Sequence, residues 1–285
     1  MIKLSEYLGL LPFEVNVFGR KRNLIVALGD TLYKPRVLEK VHVRGREMDL
    51  SGSEHFKILA YAAENLYRSF DRSELGLFMK NHLRMGDVFV DVGANLGGYS
   101  MMAMDLGFET YAYEPVPELA AVLLRNQHVY GHVRSIALSD VPGTADFFIS
   151  DENVGGSSLV ASKAGWEASG YSRKIEVEVS TLDAQWEAGS IPQQVNLLKI
   201  DVEGNEFQVV SGMRQMADSG AVRNIWCEVR GESSDRNPGT YRTVTAFLKE
   251  RGYTVWKSVG GQLSPFDPEH DDAPQFFDLL YRHES

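Results

Sequence analysis

The sequence of 285 residues contains a single cysteine and no apolar run long enough to span a bilayer. Cys227 has no partner for an intrachain disulfide, so the cysteine content gives no sign of an oxidising compartment. The N-terminus also lacks the basic start, apolar core and small-residue cleavage site of a secretory signal. These absences favour a cytoplasmic protein with no membrane partner.

The sequence also lacks an excess of basic residues. Its 29 lysines and arginines stand against 39 aspartates and glutamates, for a formal net charge of −10. Nucleic-acid affinity depends largely on lysine and arginine contacts with phosphates. The charge balance therefore argues against a nucleic-acid partner.

The first 50 residues are predicted to form a small β-rich attachment, because β-like runs alternate there with turn-forming residues. The runs lie at residues 13–17, 23–28 and 40–44. The basic cluster at residues 20–22 indicates a solvated turn. The attachment either caps the site of the main domain or pairs between copies of the chain as a homo-oligomer.

Residues 51–85 show the apolar spacing of helices and are predicted to form a helical lead-in. Within it, Asp71 and Glu74 have the spacing of an N-cap and its acidic partner three residues later. The main domain is predicted to occupy residues 86–285.

In the main domain, apolar strand-like runs alternate with amphipathic helices. The runs lie at residues 88–90, 110–113, 134–138, 196–200 and 224–229. Strands separated by helices predict an α/β fold with a mostly parallel sheet covered on both faces. Two further runs, 253–256 and 276–281, have no helix between them, which predicts a final antiparallel strand and seven strands in all. Such an ending is typical of methyltransferase sheets, whereas dinucleotide-binding sheets usually end with parallel strands.

A glycine-bearing turn follows the first buried strand. Asp91 ends that strand, and Gly93 and Gly97 permit the backbone to approach a ligand closely. Amides at the helix start can bind a carboxylate such as the methionyl end of S-adenosylmethionine. An NAD-dependent oxidoreductase is a weaker alternative, because its G-x-G-x-x-G motif is absent and Asn95 stands where a pyrophosphate needs uncovered backbone.

The next two strand ends also carry polar side chains. Glu114 lies about 20 residues beyond the first glycine, the spacing at which an acidic side chain accepts from ribose hydroxyls. Ser139 and Asp140 end the third strand, at the level of an adenine edge. Together with the glycine turn, these positions predict a site for S-adenosylmethionine.

The fourth strand end carries the predicted chemistry. Asp201 follows an apolar run, and Glu203 points the same way if the extended backbone continues. Methyl transfer to a hydroxyl needs an aligned acceptor and a group that removes or directs its proton, so Asp201 and Glu203 are the catalytic candidates. Helix capping is the alternative for Glu203. A further hypothesis is that Asp201 and Glu228, at adjacent strand ends, hold either a divalent cation or a substrate hydroxyl.

The segment from residue 151 to residue 174 interrupts the alternation and has the length of an active-site lid. A hairpin that does not contact substrate is an equal alternative.

The ordered motifs resemble the FkbM family of methyltransferases over residues 67–229. They lie at residues 91–100, 114–117, 181–183 and 198–204, the last reading Leu-Lys-Ile-Asp-Val-Glu-Gly. The resemblance implies a class I methyltransferase, Rossmann-like fold that uses S-adenosylmethionine, commonly on hydroxyls of sugars or polyketide-type natural products. The acceptor is thus expected to be a small molecule or a glycan.

By the same resemblance, each motif residue has an implied role. Asp91, Gly93, Asn95 and Gly97 lie at the methionyl end, Glu114 at the ribose, Ser139 and Asp140 at the adenine, and Asp201 and Glu203 at the reaction centre, where Asp201 also meets the cofactor. A non-catalytic S-adenosylmethionine-binding or assembly module is the alternative of a different class. It has no need for the acidic pair at the fourth strand.

Overall fold

The computed structural model describes residues 14–17, 20–23, 40–43, 45–51, 69–149, 157–159, 173–234, 237–269, 271 and 274–284. Most of the predicted run 23–28, most of the helical lead-in and most of the segment 151–174 lie outside these residues. The division into an attachment, a lead-in and a main domain remains a prediction.

The strands and helices alternate through the main part of the chain. The strands are β1 (Glu14–Val17), β2 (Arg20–Asn23), β3 (Lys40–Val43), β4 (Arg46–Asp49), β5 (Val88–Val92), β6 (Glu109–Tyr113), β7 (His132–Arg134), β8 (Ala137–Leu138), β9 (Gly143–Ile149), β10 (Arg173–Ser180), β11 (Leu197–Ile200), β12 (Asn224–Arg230), β13 (Tyr253–Val259), β14 (Gln262–Pro265) and β15 (Phe276–His283). The helices are α1 (Glu74–His82), α2 (Gly98–Asp105), α3 (Pro117–Arg125), α4 (Gln127–Tyr130), α5 (Leu182–Glu187), α6 (Glu206–Ser211), α7 (Arg214–Asp218) and α8 (Thr240–Lys249).

Two antiparallel hairpins, β1–β2 and β3–β4, form the described N-terminal region. The expectation of a turn at residues 20–22 is wrong, because these residues belong to strand β2. Strand β4 was not predicted. It buries Met48, and Arg46 pairs with Asp105 of helix α2 at 3.2 Å, so the second hairpin packs on the main domain.

Helix α1 begins two residues later than predicted. Ser73, rather than Asp71, is its N-cap, and the Ser73 hydroxyl accepts from the Gly76 backbone N–H at 3.0 Å. Glu74 is the first helical residue and accepts from Ser258 and from the Gly260 and Gly261 amides instead. Its carboxylate thus ties the helix to the β13–β14 turn.

The main sheet has eight strands in the order β14-β13-β15-β12-β11-β5-β6-β7. Neighbouring strands from β12 to β7 are parallel, while β15 is antiparallel to both of its neighbours. The α/β fold and the final antiparallel strand are therefore confirmed. The sheet has one strand more than predicted, because β14 pairs with β13 at the edge.

The predicted third strand is divided between two sheets. Residues 132–134 form β7 of the main sheet, whereas Ala137 and Leu138 form β8, which pairs with β10 in a separate three-stranded sheet. Strand β9 is the third member of that sheet. The prediction of one continuous strand over 134–138 is wrong, although both pieces lead towards the same end of the sheet.

Alternating residues of the central strands build two apolar cores. Phe89 of β5 packs into the core on one face, while Val88 and Val90 pack into the core on the other. This period of two is the signature of a sheet buried on both sides. Cys227 is buried and unpaired in the second core. In the part of the chain that the structure describes, no helix is long and apolar enough to cross a membrane.

Candidate active site

The turn after β5 is held tightly against the neighbouring strands. The Gly93 and Ala94 amides both donate to the Tyr113 carbonyl of β6, at 3.1 and 3.0 Å. A Cβ on Gly93 would lie 1.9 Å from the Asp201 carbonyl oxygen. Glycine is therefore required at position 93 to pack the turn against the end of β11, in addition to any role in ligand approach.

Gly97 has a different neighbour. It adopts φ +75°, and a Cβ there would lie 2.5 Å from the Tyr130 ring of helix α4. Gly93 lines a cleft at the C-terminal ends of β5, β6 and β11, whereas Gly97 is not among the described residues that line it. Helix packing thus accounts for Gly97 in this structure, and its contact with the methionyl end remains a prediction.

Glu114 is buried at the end of β6 and organises the glycine turn. Its carboxylate accepts from the Asn95 amide at 2.7 Å and from the Val116 amide at 2.8 Å. Burial raises the pKa of Glu114 to about 7, against the lowering effect of those two amides. Each carboxylate oxygen keeps a lone pair, so Glu114 can still accept from a ligand hydroxyl.

A cleft opens at the C-terminal ends of β5, β6 and β11, and we call it the cofactor cleft. Its lining combines apolar side chains with carboxyl groups: Val92, Gly93, Asn95, Tyr113, Glu114, Pro115, Val116, Ile136, Ala137, Leu138, Phe147, Ser157, Leu159, Asp201, Val202, Glu203, Asn205 and Glu228. Ligands of open α/β sheets bind outside these strand ends. Ser157 and Leu159 bring the described part of the predicted lid to this cleft, while its action as a lid remains a prediction.

The cofactor cleft has the features that a nucleoside ligand needs. The side chains of Ile136, Leu138 and Phe147 offer an apolar surface for a base, and the Glu114 carboxyl group offers acceptor oxygens for ribose hydroxyls. Asn95 Oδ1 and the Tyr113 hydroxyl are buried without a hydrogen-bond partner in the described residues. Such orphaned polar atoms are usually satisfied by a ligand or by water. The residues therefore fit S-adenosylmethionine.

Ser139 and Asp140 stand beside this cleft rather than in its described lining. The Ser139 hydroxyl donates to Asp140 at 3.1 Å and accepts from the Asn205 amide group at 3.2 Å. Asn205 does line the cleft, so it connects the pair to the wall. Contact of either residue with adenine remains a prediction.

Asp91 lies behind the cleft and anchors a buried lysine. Its carboxylate accepts from the Ser100 hydroxyl at 2.7 Å and pairs with Lys199 Nζ at 3.2 Å. Lys199 Nζ also lies 3.3 Å from Asp201 and donates to the Gly93 carbonyl at 3.2 Å. Burial opposes the charge on Lys199, but Asp201 and Asp91 outweigh it and raise the pKa of the ammonium. Lys199 thus stays charged and holds Asp201 beside the glycine turn.

Glu203 reaches the site by a backbone conformation that the sequence did not predict. The strand ends at Ile200, and Glu203 adopts φ +58°. The expectation that extended backbone directs Glu203 is therefore wrong. The Ser158 hydroxyl donates to the Glu203 carbonyl at 2.8 Å, and Arg230 Nη2 donates to its carboxylate at 2.8 Å. A left-handed non-glycine residue costs about 1–3 kcal/mol and is found chiefly at functional sites.

Arg230 is the cation at the centre of a group of glutamates. It is buried, with guanidinium nitrogens 2.8 Å from Glu203, 3.6 Å from Glu228 and 4.0 Å from Glu206. Burial raises the pKa of Glu206 to about 7, although Arg230 lowers it in part. Burial and the neighbouring carboxylate of Asp201 also raise the pKa of Glu228 well above its usual range.

Asp201, Glu203 and Glu228 have carboxylate oxygens within 4.8 Å of one another. The structure therefore brings together both predicted catalytic residues and the residue of the metal hypothesis. A divalent cation normally needs several free oxygen ligands. Here the Arg230 guanidinium already supplies positive charge to Glu203 and Glu228, so the arrangement does not favour a metal.

Lys199 and Arg230 are the functional residues that sequence reasoning missed. In each case the position of the cation in an apolar run of the sequence could have indicated a paired side chain. Lys199 interrupts the buried run of β11, and Arg230 ends the buried run of β12. Long cations inside such runs are rarely fully buried unless they are paired. Their position predicts carboxylate partners at the same strand ends.

The comparison with protein families decides the kind of site. The family described as the Methyltransferase FkbM domain matches residues 91–255, which include the whole cofactor cleft from Gly93 to Glu228. The chain belongs to the FkbM methyltransferase family. It is therefore an S-adenosylmethionine-dependent methyltransferase, as the ordered motifs indicated.

A curated relative and two solved structures are similar to this chain. The relative is the 31-O-demethyl-FK506 methyltransferase FkbM of Streptomyces tacrolimicus, 29% identical over 240 residues, with 72% of this chain and 87% of the relative covered. The TehB-like S-adenosylmethionine-dependent methyltransferase of Corynebacterium glutamicum is 11% identical, with 81% of this chain and 98% of that chain covered and a TM-score of 0.42. The N-methyltransferase NodS of Bradyrhizobium japonicum is 11% identical, with 78% and 99% covered and a TM-score of 0.41.

Proposed function

We propose that this FkbM-family enzyme methylates a hydroxyl oxygen of a sugar or a natural-product-type small molecule. The observation that carries the proposal is the position of Asp201, which lines the cofactor cleft and whose carboxylate lies 3.3 Å from Lys199 Nζ. S-adenosylmethionine supplies a methyl group on a sulfonium, which accepts the electron pair of the broken C–S bond and becomes a neutral thioether.

Asp201 is the residue that receives or directs the acceptor proton. A hydroxyl oxygen forms the new C–O bond and must lose its proton, and a carboxylate within hydrogen-bond reach can take it. Lys199 keeps Asp201 beside Gly93, so the base and the glycine turn share one rigid frame. Precise placement of this kind is most of what an in-line displacement requires from a protein.

Glu203 and Glu228 complete the acidic end of the cleft. Arg230 holds both carboxylates in place. The carboxylates of Asp201 and Glu203 near the donor sulfur favour the positively charged sulfonium over the neutral thioether product. These two carboxylates thus support binding of the cofactor and release of its product.

The proposal is tested by the Asp201→Asn variant. Asparagine has the same shape but is not a base, so we expect transfer to fall by about 10²- to 10⁴-fold with nearly unchanged affinity for S-adenosylmethionine. Exposed Asp146→Asn is the matched control. Methyl-labelled cofactor and a pool of sugars and metabolites supply the assay, and the product linkage is read by NMR. Full turnover by Asp201→Asn, or a labelled methyl on nitrogen or carbon, would contradict the proposal.

A non-catalytic S-adenosylmethionine-binding module remains the alternative of a different class. It predicts cofactor binding without any labelled product from any pool. The acidic cluster beside the cleft speaks against it, because three carboxylates gathered at the cofactor's reactive end cost stability that simple binding does not require. Location in the cytoplasm and assembly into homo-oligomers stay predictions.

A further inference from the structure

The backbone at Glu203 is strained where it borders the cofactor cleft. Glu203 adopts φ +58° and Gly204 adopts φ +111°, so two successive residues lie at positive φ. Glycine tolerates this conformation, but it is disfavoured for glutamate and persists only when the surroundings hold it. Because Glu203 lines the cleft, the groups that hold its backbone also set the position of its carboxylate.

The Ser158 hydroxyl contacts both peptide units that flank the Cα of Glu203. It donates to the Glu203 carbonyl at 2.8 Å and also lies 3.4 Å from the Val202 carbonyl oxygen. The first carbonyl belongs to the peptide unit after Glu203, and the second belongs to the unit before it. The orientations of these two planar units define φ and ψ of Glu203. One buried hydroxyl thus contacts the two groups that determine the left-handed conformation.

Ser158 is itself fixed against strand β9. The Phe148 amide donates to the Ser158 carbonyl at 2.8 Å, and the Ser158 amide donates to the Phe148 carbonyl at 3.0 Å. These reciprocal hydrogen bonds form an antiparallel bridge. The flanking residues Ser157 and Leu159 both line the cofactor cleft. Ser158 therefore connects the wall of the cleft to the backbone of Glu203.

Two other side chains hold neighbouring parts of the same turn. Asn237 Nδ2 donates to the Gly204 carbonyl at 2.7 Å, and Arg230 Nη2 donates to the Glu203 carboxylate at 2.8 Å. Asn237 acts one peptide unit later in the chain, and Arg230 acts on the carboxylate. Removal of the Ser158 hydroxyl therefore addresses the backbone of Glu203 and leaves these two contacts available.

We propose that Ser158 is a positioning residue, whose hydroxyl keeps Glu203 in the left-handed conformation and so keeps its carboxylate near the donor sulfur. Without this hydroxyl the backbone of Glu203 relaxes and the carboxylate moves away from the sulfonium. The inference rests on the proposed function, in which that carboxylate favours the charged sulfonium over the neutral thioether. It adds a residue that acts through Glu203 and sets how strongly the site distinguishes the cofactor from its product.

The ratio of two dissociation constants tests the proposal without an acceptor. S-adenosylmethionine and its product S-adenosylhomocysteine differ by a methyl group and one positive charge, so their relative affinity reports the charge near the sulfur. Calorimetric titration measures both ligands with the wild type, Ser158→Ala, Glu203→Gln and the double variant. We expect Glu203→Gln to reduce the preference for the sulfonium about fourfold, the effect of one charge at about 5 Å in water-like surroundings.

Ser158→Ala should give most of the loss that Glu203→Gln gives, and the double variant should lose no more than Glu203→Gln alone. This non-additivity is expected because Ser158 acts through Glu203. A purely structural role for Ser158 would weaken both ligands together, leave their ratio unchanged and give the same effect whether residue 203 is charged or neutral.

A matched control and a second variant accompany the measurement. Ser219→Ala removes a hydroxyl that donates to the Met216 carbonyl at 3.0 Å after helix α7, and it should leave the ratio unchanged. Ser158→Cys keeps a side chain of similar size but has only a weak S–H donor, so it should lose the preference as Ser158→Ala does.

A wild-type ratio in folded Ser158→Ala or Ser158→Cys protein would overturn the inference, and so would losses that add in the double variant. A wild-type ratio in Glu203→Gln would overturn it together with the role that the proposed function gives to Glu203, and that result needs no serine variant. Failure of the proposed acceptor chemistry has a different signature, because the methyl group is then found on nitrogen or carbon.

Discussion

Lys199 Nζ lies between two carboxylates, 3.2 Å from Asp91 and 3.3 Å from Asp201. Asp91 and Lys199 are register partners on the adjacent parallel strands β5 and β11. Asp91 is buried, whereas Asp201 is partly exposed at the cleft. The lysine therefore connects a buried anchor to the carboxylate that we propose acts on the acceptor.

Replacement of Lys199 by methionine should destabilise the fold strongly. Removing one partner of a buried ion pair leaves an uncompensated charge and costs about 3–5 kcal/mol. The matched control is Lys174→Met. Lys174 pairs with Asp146 at 2.9 Å, and both side chains are exposed. Exposed pairs of this kind contribute about 0–1 kcal/mol to stability. Urea denaturation of both variants measures the difference. Equal losses of stability would show that Lys199 is not the buried compensating charge.

Replacement of Gly93 by alanine should damage both the fold and transfer. The φ of +79° at Gly93 lies in the left-handed region, which raises the free energy of the folded state for alanine. The new Cβ would also lie 1.9 Å from the Asp201 carbonyl oxygen. Gly189→Ala isolates the penalty alone, because Gly189 has φ +70° and open space around its Cβ position. We expect about 1–2 kcal/mol of destabilisation for the control and clearly more for Gly93→Ala. Denaturant midpoints that coincide would refute the packing role of Gly93.

The contribution of Glu114, Glu206 and Asp278 to the stability of the protein should fall as the pH rises from about 4 to 7. Burial raises the pKa of Glu114 and Glu206 to about 7 and that of Asp278 to about 6, so the folded state keeps protons that the unfolded state releases. Stability decreases with pH wherever the folded state binds more protons. The stability that these protonated carboxyl groups contribute is fully present below their pKa in the unfolded state. It is lost by the time the pH passes their pKa in the folded state. Urea titrations at several pH values should show a flatter slope for Glu206→Gln, and an unchanged slope would contradict this assignment.

The alternation of strands and helices was sufficient to predict the fold class, because buried strands and amphipathic helices have different periods. It was not sufficient to divide residues 134–138 correctly, since an apolar run indicates burial but does not show which strand it pairs with. The extra strand β14 is short and largely exposed, so its apolar signal was too weak to predict it.

The site was predictable where residues follow a strand directly. Glu114, Asp201 and Gly93 all line the cleft, as strand-end positions indicated. The path of Glu203 was not predictable, because its positive φ follows from tertiary contacts with Ser158 and Arg230. Asp91 illustrates the same limit: its pairing with Lys199 was not predicted, and its contact with the cofactor remains a prediction.

Calorimetric titration of S-adenosylmethionine into the wild-type protein and two variants tests the central claim that the cleft between Gly93 and Glu228 holds the cofactor. Glu114→Ala removes the carboxyl group predicted to accept from the ribose, and Glu109→Ala removes an exposed carboxylate from the strand that precedes Glu114. We predict one-to-one binding by the wild type, a dissociation constant roughly ten- to a hundredfold higher for Glu114→Ala, little change for Glu109→Ala, and no binding of NAD. Unchanged affinity in a folded Glu114→Ala protein, or binding of NAD in place of S-adenosylmethionine, would contradict the account.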